Sequence, residues 1–433
     1  ASGASQTGFG RTGTVDWQTG SIKTTTFTAT NGEGYFVDTS SGSVTVNLPA
    51  GTAGAIVAVA DYANTADTNK ITISPNGSNK IQGIARDFEI TTEGGSVTLV
   101  FVDSVQGWRP TDASTAAAIT ENAVFISATG GTVTTCGDFK IHTFTGPGTF
   151  CISAGAGPVA NLDYVVVAGG GGGGGSTSPG GGGAGGGAGG YRESHCASTS
   201  GSYTASPLAT PSSLPVSPGA IPVTVGGGGT GKGPGAFVNG FGSNSIFSTI
   251  TSTGGGDGGM NNSPGQTRAS PTTTSDGASS NSTFVGGAGG SGGGGGFFNY
   301  LGGAGNTPPV TPSQGNNGGQ GSAAPKYSGA GGGGAGAVGS NASPSAGGNG
   351  GAGTTSNITG SPVTRAGGGG GSSTNSTDGS GGSGGGGSGT SPGGTGGAGT
   401  ANTGGGGGAG GSPGNATGGA GGSGVVIVRY KFQ

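Results

Sequence analysis

The most constraining feature of this chain is a block of 256 residues, 169–424, in which more than one residue in three is glycine. Of the 116 glycines in the 433-residue chain, 22 precede the block and none follows it. Its longest glycine runs, interrupted only by alanine and serine, are 169–175, 180–190, 286–296 and 404–411. A segment of this composition has almost nothing apolar to bury, so order in it must come from hydrogen bonds between backbone groups.

The rest of the composition argues against most kinds of active site. Only 7% of the residues are charged and the formal net charge is −3, so we expect no nucleic-acid binding. No apolar stretch approaches the ~20 residues of a membrane span, and we expect no membrane insertion. Two histidines, three cysteines and one methionine leave little material for catalysis or metal binding. We therefore expect a structural or binding protein that is not an enzyme and has no metal and no cofactor.

Residues 23–115 have the pattern of an antiparallel β-sandwich or jelly-roll module, and residues 1–22 are expected to form an N-terminal arm. Val44, Val46 and Leu48 alternate with polar residues, as in a strand with one buried face. The predicted strands, separated by turn signals, are 24–28, 35–38, 43–48, 55–61, 70–74, 88–92 and 96–102. Their spacing predicts a seven-stranded module. Trp108 is expected to close its core.

A second β-domain is predicted from residues 116–168 together with residues 425–433, on the two sides of the glycine-rich block. Its predicted strands before the block are 124–127, 132–135, 139–144, 149–153 and 164–168. The Thr-Gly-Pro-Gly segment at 145–148 is expected to be the tip of a hairpin. The apolar runs 165–167 and 425–428 are typical of strands buried on both faces, and we expect them to pair in one sheet. The glycine-rich block is then an insertion whose two ends lie close together.

Three kinds of structure compete as explanations of the glycine runs. A flexible glycine and serine linker needs no order. A collagen triple helix requires glycine at every third position, and the run at 180–190 has no such register. A bundle of extended helices of the polyglycine II kind has ~3 residues per turn, and without Cβ atoms neighbouring helices can approach and bond through the backbone. We favour the bundle, and thus predict an all-β chain with no α-helix of note.

Two parts of the sequence resemble phage proteins. The strings GYFVDTSSGSVTVNLPAGTAGAIVAVADY, NKITISPNGSNKI and SVTLVFVDSVQGW, within residues 14–113, resemble a small β-module common in phage fibre and virion proteins. The strings HTFTGPGTF, DYVVVAGGGGGGG and GGSGVVIVRY resemble the glycine-rich C-terminal domain of phage tail-fibre and other virion structural proteins, especially of marine phages, over residues 123–433. The resemblance implies a protein of the virion surface, in a tail or capsid fibre. Such fibre proteins are often homotrimers.

In phage adhesins with polyglycine II bundles, loops at one end of the bundle contact the host receptor, and the resemblance implies the same here. The candidate receptor-contact residues are the aromatic residues between glycine runs: Tyr191, Tyr203, Phe237, Phe241, Phe247, Phe284, Phe297, Phe298, Tyr300 and Tyr327. Aromatic side chains on rigid loops provide a large contact area at low entropy cost. Alternatively, several of them simply cover the ends of the bundle. The expected partners are a host cell-surface receptor, protein or glycan, and other virion proteins bound by the N-terminal region.

Residues 226–232, GGGGTGK, mimic a phosphate-binding loop that follows an apolar strand-like run. Gly233 stands where such a loop has serine or threonine, and no helix is expected to follow. In a chain with so much glycine a chance match is expected, so we do not predict nucleotide binding.

Cys136 and Cys151 are the candidates for a disulfide bond. If the hairpin tip lies at 146–147, however, Cys151 faces His142 and the bond requires a different register. Virion proteins assemble in a reducing cytoplasm, where free thiols are the default.

The function that these observations favour is that of a phage virion fibre or adhesin that presents loops for host attachment. Two alternatives stay open. One is a purely structural capsid decoration or fibre protein. The other is a cellular surface or filament protein that self-associates through edge strands or strand donation.

Overall fold

The computed structural model describes residues 15–113, 120–121, 124–156, 159–176, 181–233, 240–260, 285–323, 327–374 and 377–433. The chain forms two compact units: an N-terminal unit of Ala1–Val124 with Ala156–Pro158, and a C-terminal unit of Phe125–Gly155 with Val159–Gln433. Nearly all regular structure in the described residues is β-strand, so the predicted all-β class is confirmed.

The N-terminal unit contains two five-stranded sheets. Its strands are β1 (Asp16–Trp17), β2 (Phe27–Thr28), β3 (Glu33–Val37), β4 (Val44–Asn47), β5 (Ile56–Asp61), β6 (Ile71–Ser74), β7 (Phe88–Ile90), β8 (Ser96–Asp103), β9 (Gly107–Ala113) and β10 (Thr120–Glu121). One sheet has the order β1-β3-β5-β8-β9 and the other has the order β10-β7-β6-β4-β2. From β1 to β6, therefore, each strand lies in the sheet opposite to the strand before it.

The pairing of these strands corrects the prediction of an antiparallel jelly-roll. β1, β3 and β5 are parallel neighbours, and so are β2, β4 and β6. Antiparallel pairing begins only where β7 joins β6 and β8 joins β5. The predicted antiparallel topology is wrong because alternation of apolar and polar residues identifies the buried face of a strand but not the direction of its neighbour.

The core of the N-terminal unit lies between its two sheets. Val44, Val46 and Leu48 are buried there, as their alternation predicts. Trp108 is fully buried against Phe101 with 5.6 Å between the ring centroids, which confirms that it closes the core. Burying an apolar side chain of this size class stabilises the fold by about 1.5–3 kcal/mol.

The C-terminal unit contains the remaining strands and one short helix. The strands are β11 (Val124–Thr129), β12 (Thr132–Cys136), β13 (Phe139–Phe144), β14 (Gly148–Ala156), β15 (Asn161–Val167), β16 (Tyr191–Ser194), β17 (Ala209–Thr210), β18 (Leu214–Pro215), β19 (Gly219–Thr224), β20 (Ser245–Phe247), β21 (Ile250–Ser252), β22 (Thr354–Ser356), β23 (Val363–Arg365) and β24 (Val425–Lys431), and the helix is α1 (Ala197–Ser200). One sheet has the order β11-β14-β19-β20-β21 and the other β12-β13-β24-β15-β16-β17, with β18 also on β15. β22 and β23 form a separate pair.

The strands that flank the glycine-rich block are neighbours, as the sequence predicts. β15 and β24 pair in antiparallel register, with Val167 opposite Val425. The block therefore leaves one sheet and returns to it beside its point of departure.

Residues 145–148 connect two sheets and are not the tip of a hairpin. β13 pairs with β12 and β24, whereas β14 pairs with β19 in the other sheet. Phe144 and Phe150, on either side of the turn, both pack in the core between the sheets. The predicted hairpin is wrong because a Gly-Pro-Gly turn reverses the chain equally well within one sheet or between two.

The described glycine-rich residues form a bundle of extended segments joined by backbone hydrogen bonds. In segment 169–174, the first three N–H groups donate to carbonyl oxygens in three different segments, 240–243, 419–422 and 184–187. The next three N–H groups return to the same three segments in the same order. The hydrogen bonding thus repeats every three residues, as in a helix with three residues per turn.

The carbonyl groups of segment 169–174 repeat in the same way. They accept hydrogen bonds from 255–258, 229–232 and 407–410 in turn. The donor and acceptor partners are different, so this segment is surrounded by other segments and its backbone polar groups are satisfied without side chains.

Glycine is required where these segments touch. A Cβ atom at Gly173 would lie 2.0 Å from the carbonyl oxygen of Gly408, and one at Gly170 would lie 2.1 Å from that of Gly405. Because real Cβ atoms do not approach an oxygen so closely, any larger residue would push the segments apart and break their hydrogen bonds.

The bundle has two ends. At the sheet end, glycine-rich segments continue directly into strands, as at the end of β15 and the start of β24. At the opposite end, which we call the distal end, the chain turns back between segments, and Ser176 bonds there to the carbonyl oxygen of Ala416 at 2.9 Å. Described distal turns lie at 297–301, 343–346, 391–393 and 412–415.

Candidate binding surface at the distal end

The structure brings four of the predicted contact residues together at the distal end. Phe297, Phe298 and Tyr300 lie in one distal turn, and Tyr327 begins the segment beside it. The centroid of the Phe298 ring lies 4.5 Å from that of Phe297 and 4.7 Å from that of Tyr327. The rings of Phe297, Phe298 and Tyr327 form one aromatic cluster, and Tyr300 lies in the same turn.

Phe298 is the most prominent member of this cluster. Its side chain is 52% exposed, and its backbone has a φ of +62°. Asn299 follows with a φ of +59°. A bulky residue in this left-handed region is an outlier, and such conformations cost of order 1–3 kcal/mol and concentrate at functional sites.

Hydrogen bonds to the neighbouring segment hold the turn in this shape. The backbone N–H of Phe298 donates to the carbonyl oxygen of Ser322 at 3.1 Å. The side-chain amide of Gln320 donates to the carbonyl oxygen of Asn299 at 2.9 Å. Gly321 N–H donates to the carbonyl oxygen of Tyr300 at 3.0 Å. The segment from 320 to 322 therefore supports the turn along its length.

The sequence prediction missed one residue of this surface. Leu301, at the end of the same turn, is 64% exposed. The candidates are predicted from their aromatic character, which does not identify a leucine. Leu301 nevertheless directly follows Tyr300 in the run FFNYL. We call Phe298, Tyr300, Leu301 and Tyr327 the distal patch. Phe297 is almost fully buried beneath them and supports the Phe298 ring.

Three predicted contact residues lie instead at the sheet end. Phe247 is fully buried in the core between the sheets, 6.0 Å from Phe150 between ring centroids. Tyr191 is also buried, and its hydroxyl donates to Glu193 at 2.8 Å. Since neither ring reaches the surface, we no longer expect these two to contact a receptor.

Tyr203 is partly buried at the sheet end against other side chains. Its ring lies 4.2 Å from that of His195 and 5.2 Å from the Arg429 guanidinium. Burial raises the pKa of Tyr203, and the nearby carboxylates of Glu193 and Asp163 raise it further. The Tyr203 ring therefore packs against side chains of the protein itself and is not part of the distal patch.

Of the three remaining candidates, one lies in the described residues. Phe241 is partly exposed within segment 240–243 on the flank of the bundle. Phe237 and Phe284 lie outside the described residues.

A buried polar cluster at the sheet end is centred on the Asp163 carboxylate. The Asp163 carboxylate accepts hydrogen bonds from Ser194, Ser200 and Ser213 and from the backbone N–H of Cys196. With these donors its oxygens are occupied. The cluster fixes the loop after β16 against β15.

The cysteines do not form the disulfide considered from the sequence. Cys136, Cys151 and Cys196 are all free. Cys136 ends β12 in one sheet, while Cys151 lies in β14 of the other sheet. Because the two cysteines lie in different sheets, no shift of register along one hairpin could bring them together, and the considered disulfide is wrong.

The sequence that mimics a phosphate-binding loop is part of the bundle. Residues 226–232 form an extended segment, and the buried Lys232 pairs with the carboxylate of Asp257. The Lys232 ammonium also donates to the carbonyl oxygen of Gly258 at 3.3 Å. The Lys232 side chain therefore makes its contacts inside the bundle.

Other kinds of site find no support in the described part of the chain. No group of three or more His, Cys, Asp or Glu residues there is placed to hold a metal ion. Within the same residues no helix has the length and apolarity to cross a membrane.

Two protein families match the chain. The family model of the glycine-rich domain matches residues 143–431, which is well over half of the chain. The family model described as bacteriophage T4 gp9/10-like protein, N-terminal, matches residues 3–111. No curated protein matches the sequence. The first match includes the bundle with its distal patch and the second lies in the N-terminal unit.

Proposed function

The chain belongs to the glycine-rich domain family, and we propose that it is a fibre protein of a phage virion whose bundle presents the distal patch to the host cell surface. The match of residues 3–111 to a phage structural family supports a virion structural protein. The N-terminal unit then binds other virion components. The C-terminal unit projects from the particle.

The bundle is, in this proposal, a polyglycine II bundle. Its support is the three-residue repeat of hydrogen bonds in segment 169–174, which matches a helix of ~3 residues per turn. Such a bundle is rigid without an apolar core, because its backbone groups are bonded to neighbours in several directions. It is therefore suited to hold loops at a distance from the virion.

The observation that carries the receptor-binding proposal is the conformation of Phe298. An exposed aromatic ring on a turn with positive φ costs free energy that the fold itself does not recover through burial. The free energy of contact with an external partner would offset that cost. Aromatic side chains are enriched among the residues that dominate binding energy at interfaces.

Binding would be reversible and would involve no chemical step, so we propose that the protein is not an enzyme. The four residues of the distal patch carry no charge. Phe298 and Leu301 would enter an apolar recess or lie against the apolar face of the receptor, and the Tyr300 and Tyr327 hydroxyls would supply polar contacts at its edge. A receptor protein and a cell-surface glycan both offer such surfaces.

The test is competition between the purified full-length chain and the phage for adsorption to susceptible cells. Saturating protein is expected to reduce adsorption. Phe298→Ala is expected to weaken competition by roughly 30-fold, since a dominant interface residue contributes about 2 kcal/mol. Val338→Ala is the matched control, because Val338 is 61% exposed but lies outside the distal patch.

Two results would contradict receptor binding. One is adsorption unchanged at saturating protein, which would favour a purely structural role in the virion. The other is an equal loss for Phe298→Ala and Val338→Ala, which would show that the distal patch has no special part.

A further inference from the structure

β12 is an unprotected edge strand. Among the residues that the structure describes, it is the outermost strand of its sheet and pairs only with β13. Residues Thr132, Val133, Thr134 and Thr135 are all exposed, so this part of the strand is open on both faces, whereas Cys136 is partly buried and packs against the core. Its pairing with β13 is regular, from Thr132 opposite Thr143 to Cys136 opposite Phe139.

The usual protections of an edge strand are missing from β12. Natural proteins block such edges with charged residues, proline, bulges or covering loops. The sequence TVTTC has no charge and no proline, and its register has no shift. It is also rich in β-branched residues, which favour extended pairing.

The outer segments of the bundle, by contrast, are protected. The side-chain oxygen of Asn349 accepts from the backbone N–H of Ser380, and that of Asn341 accepts from Gln320. On other outer segments, exposed side chains such as Thr395 and Ala398 recur at every third position and prevent another glycine segment from approaching. The edge of β12 has no side-chain block of the kind seen on these outer segments.

We propose that β12 pairs with β12 of a second copy of this chain, antiparallel and across a two-fold axis at Thr134. This register uses the whole strand, because it sets Thr132 against Cys136 of the other copy and Val133 against Thr135. The sequence is self-complementary in this arrangement. It contains no like charges to repel, and threonine–threonine pairs across strands are favourable.

The chemistry of the edge favours a second copy over a strand from a different protein. An isologous contact needs only one surface, and the uncharged TVTTC presents the same groups in either chain. A five-residue strand pair buries little surface, so the association is weak in dilute solution and strengthened where copies are concentrated on one particle. The proposal does not depend on receptor binding at the distal patch.

A charge-reversal experiment tests both the contact and its register. Sedimentation equilibrium of the full chain is expected to show a concentration-dependent dimer. Val133→Lys with Thr135→Lys is expected to abolish it, because the introduced lysines face each other across the axis. Val133→Lys with Thr135→Glu is expected to restore it, because each lysine then faces a glutamate. Circular dichroism of all three proteins checks that the overall fold is retained.

Cross-linking supplies an independent measurement. In a background with Cys136→Ser, Cys151→Ser and Cys196→Ser, Thr134→Cys is expected to give a disulfide-linked dimer on mild oxidation, since residues facing each other on antiparallel strands are ~4.5–5.5 Å apart. Thr149→Cys is the control, because Thr149 is exposed on β14, a strand with neighbours on both sides.

Three outcomes would overturn the proposal. The first is a wild-type chain that stays monomeric at every concentration, which would leave β12 to a strand from another protein or to solvent. The second is an oligomer that is insensitive to both charged variants. The third is equal cross-linking at positions 134 and 149.

Discussion

Asp163 and Arg429 occupy opposite positions on β15 and β24, the two strands from which the glycine-rich block departs and to which it returns. Ser200 links them. Its hydroxyl donates to the Asp163 carboxylate at 2.5 Å, and its carbonyl oxygen accepts from the Arg429 Nε at 2.7 Å. The Arg429 guanidinium also donates to the carbonyl oxygen of Ile358 at 3.0 Å. The point where the block begins and ends is thus tied to two of its loops.

Removing the charge of Asp163 should destabilise the C-terminal unit. Asp163→Asn replaces one acceptor oxygen with an amide NH₂ that cannot accept the hydrogen bonds of the buried donors around it, and it is expected to lower the free energy of unfolding by about 1–3 kcal/mol. Urea unfolding followed by circular dichroism measures this loss. Asp138→Asn, at an exposed turn, is the control. Both tryptophans, Trp17 and Trp108, lie in the N-terminal unit, so their fluorescence should report an unchanged transition there.

Alanine should have opposite effects at two glycines of the bundle. At Gly173 the new methyl group collides with the Gly408 carbonyl, and a loss of about 1–3 kcal/mol or more is expected. At Gly227 nothing lies within 4 Å of the Cβ position. There alanine is expected to stabilise by about 0.4–1 kcal/mol, because it restricts the unfolded chain. Thermal unfolding of the two variants distinguishes this ordered bundle from a linker, in which the substitutions would be equivalent.

The buried pair of Lys232 and Asp257 should show strong coupling. Lys232→Met alone removes the cation that faces the buried Asp257 carboxylate and is expected to cost about 3–5 kcal/mol. Lys232→Met combined with Asp257→Ala removes both charges, and its loss is expected to be smaller than the sum of the two single losses. A double-mutant cycle in urea measures the coupling. Simple additivity would mean that the pair does not exist in solution.

Acid should destabilise the C-terminal unit through His142. Burial lowers the pKa of His142 below its usual 6.5, with a further contribution from Lys140. Below pH 6.5 the unfolded chain takes up a proton that the folded chain does not, so stability should fall from there down to the folded pKa, by up to ~1.4 kcal/mol per pH unit. His142→Gln should reduce this slope. Equal slopes in both proteins would show that other groups set the acid response.

Part of the fold was accessible from the sequence. Apolar runs predict β15 and β24 and their pairing, because an uninterrupted apolar run needs cover on both faces. Parallel pairing in the N-terminal unit could not be predicted. A strand with one buried face alternates apolar and polar residues whether its neighbour is parallel or antiparallel. The turn at 145–148 shows the same limit, since its residues fix a reversal of the chain but not the sheet that receives it.

The position of a segment within the bundle has a signal in the sequence. Fully surrounded segments such as 169–175 are glycine throughout, whereas outer segments have an exposed non-glycine residue at every third position, as at Thr395 and Ala398. The signal follows from close packing, which leaves room in a surrounded segment only for small side chains such as the fully buried Ala184 and Ala409.

For the candidate site, the sequence predicts the type of residue but not which of these residues lie at the surface. Phe247 and Phe298 are both aromatic residues between glycine runs, yet one is buried in the core and the other is exposed. Which of the two ends of the bundle receives a loop depends on the number of segments before it. That number cannot be counted until the turns are known.

The most direct test of the bundle as an ordered scaffold is hydrogen exchange at the amides of segment 169–174. Each of these N–H groups has a backbone acceptor inside the bundle, such as the Gly187 carbonyl oxygen 2.8 Å from the Gly171 nitrogen. We expect these amides to exchange as slowly as those of β15 and β24, because they open only when the unit unfolds. Exchange at the rate of an unstructured glycine and serine chain would contradict an ordered bundle and, with it, the presentation of the distal patch.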